Sequence, residues 1–293
     1  MEFPDLLRKK KNLVDIFCRE EGVSRAGVRV IASPYRICPL GAHIDHQGGS
    51  VLGMTINACT LMAFSPARDS EIRLRSRNYP GEVTFGLGAV PESLDSSWGI
   101  YSWAAVMALK EKYQIERGVV GLLDGMLPGC GLSSSASVLL AYLYAFAAAN
   151  SLHLKPWDYV HLTRRAENKY IGLNNGILDQ TSIVFGRRGY LLYIDTKEEE
   201  VRHLADPLSE DHYRILVAYS GYSRELTTSG YNSRVEECRM AAEQLSKMCG
   251  NSPARVLSDV AIEGYNRCGS RLEASIRRRA DHFFSESGRV KDG

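Results

Sequence analysis

The sequence predicts a chain of mixed helix and strand in two lobes, and three observations carry that expectation. First, 293 residues that are 44% hydrophobic can bury one large core or two modest ones, and domain sizes favour two. Second, short runs with period-two alternation, at Glu71–Arg75 and Glu82–Phe85, read as strands, whereas Ala136, Leu139, Leu140, Leu143 and Ala147 recur on one helical stripe. Third, the glycine-rich stretch Pro128–Ser137 stands where a buried strand, Val119–Leu123, passes into that helix.

Taken in order, residues from Pro4 to about Glu21 form an amphipathic pattern with Leu6, Leu7, Leu13, Val14 and Phe17 available for packing, closed near Gly22. Val28–Ala32 is a β-branched strand that Ser33-Pro34-Tyr35-Arg36 brings to a turn. Strands at Leu61–Phe64, Glu71–Arg75 and Glu82–Phe85 read as an antiparallel meander. Ser97 caps a helix whose inner stripe is Tyr101, Ala104, Ala105, Ala108 and Leu109. Pro156 opens a further helix that runs to about Tyr170. Tyr190–Asp195 and Tyr213–Ala218 are strands separated by a charged loop that contains Lys197, Glu198, Glu199 and Glu200, and a long helix runs through Val235, Cys238, Ala242 and Leu245. Arg277-Arg278-Arg279 marks a solvated helical face.

Composition excludes several classes. Thirty-six basic against 34 acidic residues leave a net charge of +2, so nucleic acid is not an expected partner. The seven cysteines are scattered without a Cys-x-x-Cys pair, which indicates neither a disulfide framework nor a zinc knuckle and fits a reducing compartment. The basic N-terminal run Arg8–Lys11 lacks an apolar core, and no apolar run spans a bilayer. The expectation is a cytoplasmic protein with no membrane partner.

Two segments carry chemistry. In Gly129-Cys130-Gly131-Leu132-Ser133-Ser134-Ser135, glycines that tolerate positive φ precede a helix start with its unpaired N–H groups and dipole, an arrangement suited to phosphate. A Walker loop would need Gly-Lys-Ser/Thr and a dinucleotide fingerprint would need glycine at Ser134; neither is present. A Gly/Ser loop that merely caps the helix is the alternative. The other segment, Arg36 to Gly49, concentrates a cation, imidazoles His43 and His46, the carboxylate Asp45 and several glycines. Metal binding there lacks a full ligand set, and hydrogen bonding to a polyol fits better. Glu167 by default is a solvated helix residue. Asp179 either caps the helix that follows it or orients an alcohol nucleophile.

With these letters in place, the sequence resembles the GHMP small-molecule kinases: galactokinase, homoserine kinase, mevalonate kinase and phosphomevalonate kinase. Gly131-Leu132-Ser133-Ser134-Ser135-Ala136 looks like the family's nucleotide phosphate loop, with Leu127 where proline is usual and Pro128 one place later. Arg36…Gly41-Ala42-His43-Ile44-Asp45-His46…Gly48-Gly49 looks like the sugar signature of galactokinases, and Pro34–Gly49 as a whole is similar to the plant galacturonokinase type. The resemblance implies an α+β, two-lobed GHMP kinase fold with a left-handed βαβ crossover, an N-terminal lobe over 1–205 and a partial C-terminal lobe over 206–293.

It also implies roles. ATP and Mg²⁺ are the expected cofactors, with Gly129 to Ser135 around the nucleotide phosphates and Ser135 and Glu167 on the metal. Arg36 and Asp179 are the expected catalytic pair, and Ala42, His43, Asp45, Gly176 and Tyr231 the expected sugar contacts. Galactokinases usually carry glutamate, contacting the sugar's C6 hydroxyl, where this chain has Ala42. Loss of that charge favours a C6 carboxylate, so the expected substrate is a sugar acid, D-galacturonate, phosphorylated at its anomeric hydroxyl. Arg224 is a cation that could pair with this carboxylate. D-galactose is the alternative substrate, and a truncated sugar- and nucleotide-binding protein without turnover the alternative class. The family's late glycine-rich motif does not occur before Gly293, so the C-terminal lobe is expected to be incomplete, with exposed helical faces that promote association.

Overall fold

The computed structural model describes residues 3–94, 98–205, 215–218, 220–221, 230–250 and 252–293. Ser97 and Arg224 lie outside them, as do the first two residues of the expected strand Tyr213–Ala218. Residues 215–218 of that strand are in irregular backbone. The chain divides into two compact units, Met1–Arg36 with Thr55–Ile171, and Ile37–Met54 with Gly172–Gly293.

In the first unit, helix α1 (Phe3–Glu21) ends at Gly22, whose φ of 64° closes it without a side-chain penalty. Leu13 and Phe17 are buried with Cys59, Leu61, Ala63 and Leu122, each large side chain contributing about 1.5–3 kcal/mol by leaving water. Leu7, expected to pack, is 54% exposed. Strand β1 covers Arg29–Ile37 and does not turn at Pro34: the strand-forming run continues through Tyr35, and Ser137 Oγ donates to the Ser33 carbonyl at 2.8 Å. Strand β2 (Val51–Pro66) is far longer than Leu61–Phe64 and pairs with β1.

Strands β3 (Glu71–Ser76) and β4 (Glu82–Gly86) pair antiparallel, with Ile72 and Leu74 buried. The expected meander is broken, because β5 (Val119–Gly125) lies between β2 and β3, antiparallel to β2 and parallel to β3. Gly118 and Gly121 allow this insertion: a Cβ on Gly118 would collide with the Glu71 backbone and one on Gly121 would lie 2.7 Å from Met62 Cε. Parallel pairing demands a crossover, and helix α2 (Ile100–Lys110) lies within it with Ala104, Ala105, Ala108 and Leu109 buried as expected. Helices α3 (Ser134–Ala149) and α4 (Pro156–Arg165) follow, and α4 gives way to a π turn over Ala166–Ile171.

The second unit starts from the other end of β2, whose Val51–Gly53 pairs with β6 (Tyr190–Asp195). Gly53 is required there, since a Cβ would strike Ser182 in helix α5 (Leu178–Phe185). Strand β7 (Glu200–Ala205) completes a hairpin on β6 where the sequence suggested only a charged loop; five of its six residues are exposed, and backbone pairing holds the strand. Helices α6 (Tyr231–Cys249), α7 (Ile262–Cys268) and α8 (Ala274–Asp292) complete the unit.

Leu178, Leu192, Ile194, Ile44 and Val51 share one core with Cys238, Ala242, Leu245, Ile276, Ala280 and Phe283. Compactness therefore does not follow the expected boundary at 205/206, because residues 172–205 bury their apolar side chains with α6 and α8. This core covers one face of α6 and of α8, while Met240 in α6 and Ile262 in α7 stay exposed.

Candidate functional site

The expected site residues fall in two groups, each built within its own unit. In the first unit, β5 delivers the chain to Gly129 and Gly131, both at φ 74°, and Ser133 adopts φ 60° before α3 begins at Ser134. The positive φ values fold the loop back on itself: Gly129 N–H donates to Ser134 Oγ at 3.2 Å. Arg36 N–H donates to the Leu132 carbonyl at 3.3 Å, so the end of β1 is bound to this loop. Leu132 and Ser133 are buried, Gly131 is exposed and Cys130 half-buried, and Ser134 and Ser135 are half-buried at the first turn of α3, whose N–H groups have no intrahelical acceptor. The loop thus has the form of an anion cradle on a helix axis.

Glu167 departs from its default reading. It lies in the π turn, a widening that changes which side chains face inward, and is only 1% exposed. A carboxylate so buried needs compensation by hydrogen bonds, a cation or a metal. Its oxygens and the Ser135 hydroxyl are hard donors of the kind Mg²⁺ accepts, alongside ligands from a nucleotide, so these two residues fit that ion. Among the described residues, no three His, Cys, Asp or Glu side chains cluster as a metal nest.

In the second unit, Asp45 organises the sugar-signature loop. Its Oδ2 accepts Leu178 N–H at 3.0 Å, across 133 residues, and thereby caps α5. Asp179, one position into that helix, is half-buried and is not the cap: the residue before α5 is Ile177, with no side-chain capping bond. Gly176 lies so close that a Cβ there would meet Asp45. Thr196 Oγ1 donates to the Asp45 carbonyl at 3.2 Å and to the Gly49 carbonyl at 2.9 Å, closing the loop from β6. His43, at φ 62°, is exposed, and Tyr231 at the start of α6 lies edge-on to His43 and His46 with ring centroids 6.1 and 5.8 Å away. Asn232 fixes the entry to α5, accepting Asn174 N–H at 3.0 Å and donating to the Gly172 carbonyl at 2.8 Å.

Sequence reasoning missed the support from α8. Glu286, buried and paired with Arg289, accepts Gly41 N–H at 3.1 Å, and the His282 ring Nε2 lies 2.9 Å from the Ala42 carbonyl. No local signal joins residues 240 or more positions apart.

Burial pushes the His46 imidazole below its ordinary 6.5; Asp45 opposes this, and His43 and His282 reinforce it. The sign follows directly. As pH falls through 6.5 the unfolded chain takes a proton while folded His46 remains neutral, so native stability drops on the acid side. His46→Gln is expected to lessen that acid-side loss in urea unfolding followed from about pH 7 to about pH 5. An unchanged pH profile would remove His46 from this role.

Comparison with known proteins adds a family context. Residues 100–187 match the family model "GHMP kinases N terminal domain" and residues 16–66 match "Galactokinase galactose-binding signature". The galacturonokinase of Arabidopsis thaliana is 41% identical over 93% of this chain and 69% of its own length. The galactokinase of Staphylococcus carnosus (strain TM300) is 31% identical over 89% of this chain and 67% of its own. Among solved structures, Lactococcus lactis galactokinase complexed with galactose superposes with a TM-score of 0.83 at 27% identity, covering 96% of this chain and 72% of that one. Methanococcus jannaschii mevalonate kinase shares the fold at a TM-score of 0.53 and 20% identity, over 62% of this chain and 57% of that one.

Proposed function

From the premise that this chain belongs to the GHMP kinase family as a sugar kinase, we propose that it transfers the γ-phosphoryl group of ATP to the anomeric hydroxyl of D-galacturonate, yielding galacturonate 1-phosphate, in the cytoplasm. The observation that carries the substrate choice is the signature loop. Its position 42 bears a methyl group and no carboxylate, and the imidazole of His282 lies at that residue's carbonyl. A sugar with an anionic C6 meets no like charge from Ala42.

In this reading Gly129 to Ser135 cradle the nucleotide phosphates, and Ser135 and Glu167 hold Mg²⁺. That ion supplies the positive charge that neutralises the triphosphate. Arg36 steadies the transferring phosphoryl charge. Asp179, at the N-terminal turn of α5, takes up or orients the proton of the attacking hydroxyl. His43, Asp45, Gly176 and Tyr231 position the sugar, and Ala42 leaves room for its carboxylate. Little covalent help is asked of the protein, so orientation and charge placement supply most of the rate.

Side-by-side assays of ATP-dependent sugar 1-phosphate formation test the proposal. A higher kcat/KM for galacturonate than for galactose is expected. Faster turnover of galactose would overturn the substrate, and no turnover of either would overturn the kinase reading. Ala42→Glu is expected to lower kcat/KM for galacturonate at least about tenfold while sparing galactose, because it restores a like charge at the carboxylate. Equal losses on both sugars would show that position 42 does not read C6.

A further inference from the structure

The seven cysteines predict no disulfide framework, yet α6 and α7 end with two thiols side by side. Cys249 Sγ lies 3.2 Å from Cys268 Sγ and 3.5 Å from the Gly264 carbonyl. Cys249 is partly exposed, whereas Cys268 is buried at 2%. A disulfide bond is about 2.0 Å long, so closing this pair needs a shift of only about 1 Å. We propose that Cys249 and Cys268 form a peroxide-sensitive thiol pair, in which a hydroperoxide converts them reversibly to a disulfide that ties α6 to α7.

The chemistry balances without a further reagent. The partly exposed Cys249 sulfur attacks one peroxide oxygen, the O–O bond breaks, and water (or the alcohol of an organic hydroperoxide) leaves with the thiol proton; Cys249 becomes a sulfenic acid. The Cys268 sulfur then attacks that sulfenic sulfur, the S–S bond forms, and the hydroxyl departs as a second water with the remaining proton. Both thiols together lose two protons and two electrons, and the hydroperoxide is reduced by the same two electrons; a thiol reductant reverses the change. The surroundings favour the second step. The Cys249 thiol hydrogen bond lowers the Cys268 pKa, and the guanidinium of Arg267 beside it adds to the effect. By contrast, burial pushes Cys59 and Cys238 up to about 11, which leaves them as inert thiols.

The bond would matter to the signature loop. The segment between the two cysteines carries Leu257, whose N–H donates to Gln47 Oε1 at 3.1 Å, and Asp259, paired with Lys197 at 2.9 Å. A Cβ on Gly48 would touch Ser258 of the same segment. Oxidation therefore fixes both ends of the piece of chain on which Gln47 and Gly48 rest.

Peptide mapping of the folded, reduced protein after limiting hydrogen peroxide tests this. The expected product is a Cys249–Cys268 cross-linked peptide at least about tenfold more abundant than any other cysteine pair, lost again on treatment with dithiothreitol. Retention of alkylatable Cys249 and Cys268 while Cys18, Cys38 or Cys130 oxidise would overturn the proposal. In Cys268→Ser, the Cys249 sulfenic acid should persist long enough for dimedone to trap it. If dimedone instead labels Cys249 equally in the wild type, Cys268 does not resolve it. The wild-type mapping decides the matter even if that variant folds poorly.

Discussion

Asp179→Asn is expected to lower kcat for sugar phosphorylation by about a thousandfold while leaving the sugar KM within a few-fold. The substitution keeps size and hydrogen-bonding shape but removes the carboxylate proposed to accept the hydroxyl proton. The cap of α5 survives the change, because it is made by Asp45 Oδ2 through Leu178 N–H and not by Asp179. What α5 forfeits is a negative charge in its first turn, worth less than about 1 kcal/mol. Steady-state kinetics with circular dichroism melting separates the outcomes. A variant that melts like wild type and loses turnover places Asp179 in the chemistry, whereas one that retains wild-type kcat removes it.

Gly176→Ala is expected to raise the sugar KM by about tenfold or more and to destabilise the protein by about 1–3 kcal/mol. A Cβ at this position would press on Asp45 Oδ2, lie 2.5 Å from its Cγ and stand 2.6 Å from His46 N, a backbone atom that cannot swing away. Asp45 would have to release Leu178 N–H, leaving a helix donor unpaired and the signature loop displaced. Gly172→Ala is the matched control. That glycine has φ 82° and open space around it, so the change costs about 1–2 kcal/mol of backbone strain but leaves Asp45 in place. A KM raised equally by both substitutions would show that general destabilisation, not the Asp45 contact, is responsible.

What the sequence by itself determined about this protein is what short-range pattern can encode. The stripes of α1, α2 and α3 follow from helical period, β3 and β4 from alternation, and the loop before α3 from glycines at 129 and 131 that need positive φ. The sugar-signature letters from Arg36 to Gly49 pointed to the correct family because their order along the chain is itself the signal.

Tertiary structure decided the rest, wherever the stabilising partner lies far away in sequence. Strand β5 enters between β2 and β3 because glycines at 118 and 121 admit neighbouring chains that no local rule could name. Strand β7 exists because β6 offers it a ladder, although five of its six residues are exposed. Glu167 is drawn inward by a π turn, Asp45 caps a helix 133 residues away, and Glu286 and His282 hold the backbone of the signature loop. Periodicity reports which face of an element is apolar; only packing determines what meets that face, and so which carboxylate becomes a cap, a candidate metal ligand or a candidate base.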